Sequence, residues 1–150
     1  MTLENIYYIG QTIAVLAVVG SLIFVGVQLR QNTIAQRQNA QDAFNIMKFD
    51  HMSLLISNPE VAEIHRRGLK DLSKLDDIER WRFGAIMQQV FDMALSLYRQ
   101  PDAFEEGNLN RIMIAIRQPG ATEWWSSGRE IYPPDFQIEM DKMIKEMQRE

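Results

Sequence analysis

The chain opens on a block of apolar residues that no charge interrupts. From Asn5 to Leu29 there is no Asp, Glu, Lys or Arg, and Ile13–Val19 and Leu22–Val27 are almost wholly apolar. As a helix, residues 6–29 extend roughly 36 Å at the standard rise, and a hydrocarbon core of about 30 Å needs roughly 20 such residues. The pattern predicts a transmembrane helix over about 6–29. Gln11, Thr12, Ser21 and Gln28 speak for the competing reading, a buried helix of a soluble protein. The length and the abrupt charge boundary speak against it. Tyr7 and Tyr8 stand at one end, where amphipathic rings suit the membrane interface, and Arg30 closes the other end, where it can snorkel. The start Met1-Thr2-Leu3-Glu4 carries no basic residue and no small-x-small cleavage site follows, so the span reads as an anchor rather than a signal peptide.

Beyond residue 29 the apolar positions return at helical spacing. The Gln/Asn-rich stretch 28–41 holds no Gly or Pro, so the first helix is expected to run on to about Ile56. Ile34, Ala43, Phe44, Met47, Leu54 and Leu55 give its later part a core-facing side. The stretch itself reads as a solvated or headgroup-level stalk, or as a polar coiled-coil seam. Asn58-Pro59-Glu60 marks a second helix start, and Gly68 is expected to end that helix. A connector at 72–77 leads to a strongly periodic segment, Asp76 to Arg99. Its expected apolar face is Ile78, Trp81, Phe83, Ile86, Met87, Val90, Phe91, Ala94, Leu95, Leu97 and Tyr98. Pro101 ends it. Gly107-Asn108 opens another helix, which Pro119-Gly120 is expected to stop. A short segment carries Trp124 and Trp125, and a last helix runs from about Pro134. No segment alternates as a strand does. The fold class is therefore all-α: an N-terminal transmembrane helix (residues 1–29 with its short N-terminus) continuing into an irregular helical bundle over residues 30–150.

Charge sets the expected orientation. Glu4 is the only charged residue before the span, whereas Arg30, Arg37 and Lys48 follow it. The positive-inside rule then puts the N-terminus outside and residues 30–150 in the cytoplasm. That part holds all 16 basic residues and 19 of the 20 acidic ones. An anionic leaflet would mildly repel such a domain, so the helix is expected to hold it at the bilayer. The whole chain of 150 residues has a net charge of −4, against the basic excess of nucleic-acid binders. It has no cysteine and two histidines, leaving no disulfide, thiolate site or His-rich metal centre.

Within the span, Gly10, Ala14, Ala17 and Ser21 are spaced 4, 3 and 4 apart and share one face, which Gln28 continues. Such small-xxx-small pairs let two membrane helices approach closely, although small residues are common in membrane helices anyway. Trp124 and Trp125 are the strongest candidates for a partner or ligand contact, with the bundle core as their other natural place. Met140, Met143 and Met147 give the last helix a soft side suited to an irregular core or to a partner groove. His51 and His65 read as surface or interhelix histidines. Arg66, Arg67 and Lys70 read as a solvated face paired with Glu63 and Asp71.

The tracts Glu4-Asn5-Ile6 and Val27-Gln28-Leu29-Arg30-Gln31-Asn32-Thr33, followed by Gly68-Leu69, Pro119-Gly120, Trp124-Trp125 and Asp135-Phe136, carry a resemblance over most of the chain. The chain resembles a family of uncharacterised small proteobacterial proteins with one membrane span and a helical cytoplasmic domain. The resemblance implies a bacterial inner-membrane location and supports the architecture. It supplies no activity.

No phosphate-binding loop, HExxH, Glu-x-x-His pair or GxSxG occurs. The expectation is a membrane-anchored, non-enzymatic helical protein without a cofactor. It would work by association with itself or with another membrane protein, and with the lipid bilayer around its span. The alternative is a ligand-sensing or enzymatic domain with an interhelix pocket lined by Trp81, Phe91, Tyr98 and Trp124.

Overall fold

The computed structural model describes residues 3–101, 104 and 106–149. Among the described residues every regular element is helical: α1 (Leu3–Ser57), α2 (Pro59–Lys70), α3 (Asp77–Arg99), α4 (Glu106–Ile116), α5 (Pro119–Gly128) and α6 (Pro134–Met147). Short 3-10 turns occupy Leu72–Lys74 and Arg129–Ile131. The chain divides into two compact units, residues 1–39 and 40–150.

The first unit is helical throughout its described residues, and the side chains described there, which are all but that of Ile6, are exposed. An 18-residue window there has a mean hydropathy of 2.3 and none of it is buried, so α1 is long and apolar enough to cross a membrane. The hydroxyl of Thr12 donates to the Tyr8 carbonyl (2.9 Å). That bond satisfies its proton within the helix and removes much of the cost of a hydroxyl on an apolar surface. Met1 and Thr2 lie outside the described residues.

In the second unit α3 is the central element, packed against α2, α4 and α5. Asp76 caps it: the Asp76 carboxylate accepts from the Glu79 amide (2.8 Å) and Glu79 reaches back to the Asp76 amide (3.1 Å). This reciprocal box is worth about 1 kcal/mol. Arg67 of α2 pairs with the same Glu79, tying the second helix to the start of the third. The buried face of α3 is Phe83, Ile86, Met87, Val90, Phe91, Met93, Ala94 and Leu97. Ile78 and Trp81 depart from expectation, being 68% and 76% exposed. At 3.6 residues per turn Trp81 sits about 160° around the helix from Phe83, and Ile78 about 140°. Their apolar character therefore does not put them on the packed side.

The core continues through Met113 and Ile116 of α4, Trp125 of α5, and Phe136, Met140 and Ile144 of α6. Phe44 is the buried α1 residue nearest the start of this unit, whereas Ile34 and Ala43 stay exposed. Two punctuation marks act otherwise than the local sequence suggests. Gly68 lies inside α2, which continues to Lys70. Pro119 is the first residue of α5, and Gly120 lies within it. Proline fits the first helical turn because the amide it lacks has no partner there.

Candidate functional site

Asn58 stands between α1 and α2, and its side-chain amide donates back to the Leu54 carbonyl (3.0 Å) instead of capping α2. The chain folds back at this point. His51 precedes Asn58 by seven positions and His65 follows it by seven, so the fold-back sets the two rings side by side. Their centroids are 6.0 Å apart, edge to face. His51 is 8% exposed, and its Nδ1, protonated in this tautomer, donates to Gln89 Oε1 of α3 (3.3 Å). His65 lies 6.3 Å from the Phe83 ring, and its Nε2 is buried without a hydrogen-bond partner among the described residues.

Burial sets the charge state of this pair. Desolvation lowers the His51 pKa, partly opposed by the Gln89 hydrogen bond. The His65 pKa falls to about 4, first through burial and then through the neighbouring His51. Both rings are therefore neutral at physiological pH, and each offers one donor and one acceptor nitrogen.

The rings border a cavity of about 320 Å³, open on one side and lined by residues of α1, α2, α3 and α4. Its walls are mainly apolar, from Phe44, Val90, Met93 and Ile112. Among the described residues Lys48 and Arg111 are the charged ones on its lining, and no carboxylate lines it. Among the described residues no group of three His, Asp or Glu side chains is placed to hold a metal ion. The arrangement can hold a small apolar body beside two cations and two neutral imidazoles.

A second cavity of about 490 Å³ lies between α3, α4 and α6, with Leu97, Tyr98, Leu109, Phe136, Met140 and Met143 on its walls. Two of the three methionines singled out in the last helix thus face it, while Met147 packs against the core. Trp125 is core: it stacks on Phe91 (4.6 Å, 14°), and its Nε1 donates to Asp141 Oδ1 (2.8 Å). Asp141 also takes Arg129 as an ion-pair partner. Trp124 stacks on the same Phe91 at 5.3 Å, above Gly84, where a β-carbon would come within 3.1 Å of its Nε1. The aromatic pocket expected from Trp81, Phe91, Tyr98 and Trp124 is not assembled. Phe91 and Trp124 stack on each other, Tyr98 faces the larger cavity, and Trp81 points to solvent.

In the first unit Gly10, Ala14, Ala17, Ser21 and Gln28 are all exposed, as are Tyr7, Tyr8 and Arg30. A β-carbon at Gly10 would meet nothing within 4 Å. The Tyr7 and Tyr8 rings contact each other edge-on at 5.8 Å. Reasoning from sequence missed the His51–His65 pair, although their equal spacing about Asn58 is a signal that a helical turn brings them level. No family model, curated protein or solved structure matches the chain.

Proposed function

We propose that this chain is a single-pass protein of the bacterial inner membrane whose helical domain works by association. Residues 6–29 would form the span, with the N-terminus outside and residues 30–150 in the cytoplasm, as the charge asymmetry about the span favours. The observation that carries this reading is the wholly unburied apolar window of α1. An exposed apolar surface of that length is costly in water and favourable in lipid. The resemblance to small proteobacterial membrane proteins points the same way. The Gly10, Ala14, Ala17 and Ser21 face is the proposed contact with a second copy or with another membrane protein.

Two experiments test this. Carbonate-washed membranes should retain the chain, and release into the wash would refute the anchor. In mild detergent Ala17→Leu should shrink the assembled species. An unchanged complex mass would remove this face from the interface.

A further inference from the structure

We propose that the cavity at the α1–α2 fold-back binds a small carboxylate with an apolar body, its anionic head held by Lys48 and Arg111. The volume of about 320 Å³ lies at the lower end of the range of small-molecule sites, roughly 300–1,000 Å³. The apolar walls of Val90, Met93 and Ile112 suit a compact aliphatic or aromatic body. Charge selects the head group. Lys48 comes from α1 and Arg111 from α4, they flank the same cavity, and among the described residues no acidic one lines it. Among the described residues Arg111 forms no ion pair with a carboxylate and Lys48 has only a 3.4 Å contact to Asn45 Oδ1, so both keep donors for an anion. An Arg fork and a Lys ammonium are the usual partners of a carboxylate.

The histidine pair adds a second, independent pointer to a ligand. His65 lines the cavity, and its Nε2 is a buried polar atom without a partner among the described residues. A buried polar group left unpaired is uncommon and costly, and a bound polar ligand would relieve it. All the residues involved belong to the second unit, so the proposal stands or fails apart from the membrane reading.

The test uses the full chain in lipid nanodiscs at pH 7 with ¹³C-labelled histidine. The chain has two histidines, so each ring gives its own signal. Benzoate and hexanoate are titrated to about 10 mM, where a site of millimolar Kd fills. Benzyl alcohol and hexanol are the uncharged controls. The expected result is a saturable shift of both ring signals with a carboxylate and a much weaker response to its alcohol. The double variant Lys48→Gln/Arg111→Gln should raise Kd about tenfold or more. Both side chains are exposed, so the variant keeps the fold, and unchanged histidine signals before titration check this. Absence of a saturable shift would overturn the proposal. So would equal binding of the alcohols, or unchanged affinity in the double variant.

Discussion

The carbonyl oxygen of Gly68 occupies the space where Gly120 would carry a side chain. A β-carbon on Gly120 would lie 2.8 Å from the Gly68 carbonyl carbon and nearer still to its oxygen. Helices α2 and α5 therefore touch backbone to backbone. Gly68 has its own constraint, since a β-carbon there would fall against the Phe83 ring of α3. Neither glycine has a positive φ, so both are required for space rather than for conformational freedom.

Gly120→Ala should therefore destabilise the helical domain by about 3 kcal/mol, at the upper end for overpacking, because the obstructing atoms are backbone. Gly68→Ala should cost somewhat less, since a ring can shift. Gly26→Ala is the control, with nothing near its β-carbon, and should leave the melting of the helical domain unchanged. Thermal unfolding followed by circular dichroism checks all three. A Gly120→Ala protein that melts with the parent would refute the close approach.

His65 makes stability depend on pH. In the unfolded chain its ring takes a proton near pH 6.5, whereas the folded ring resists until about pH 4. Between those values the unfolded chain holds more protons, so stability is full above the upper value and is lost as pH falls through the window. The ring is only partly buried, so the loss is on the order of 2 kcal/mol rather than the full conversion of the shift. His65→Leu removes the titration and the unpaired Nε2 together. It should be at least as stable as the parent at pH 7 and should lose less on going to pH 4.5. Urea unfolding at the two pH values measures this, and parallel losses in both proteins would contradict it.

Asp141 joins α6 to α5 by accepting from Trp125 Nε1 and pairing with Arg129. Asp141→Ala leaves the buried indole N–H without a partner, at a cost of about 2 kcal/mol. Trp125 emission should shift as its environment loosens, read in a Trp81→Phe, Trp124→Phe background. An unshifted spectrum with unchanged stability would show that the bond carries nothing.

Local sequence determined the helices themselves. The charge-free run Asn5–Leu29, the helix start near Asp76 and the prolines at positions 59 and 134 are legible because each acts on neighbours within about four residues. The apolar side of α6 was legible for the same reason, through Phe136, Met140 and Ile144 at four-residue spacing.

Only the tertiary structure decided what these elements face. Gly68 and Pro119 look like helix stops, yet the first is a contact surface for another helix and the second is a beginning. Trp81 is as apolar as Trp125, yet one is exposed and the other is core. The candidate site shows the same division. His51 and His65 each sit in an unremarkable helical context, and their meeting depends on the turn at Asn58 and on Gln89 arriving from α3. Periodicity and capping are set by bonds along the chain. Burial, close approach and a shared cavity are set by which distant helix comes near, and that follows from how all the apolar faces pack together.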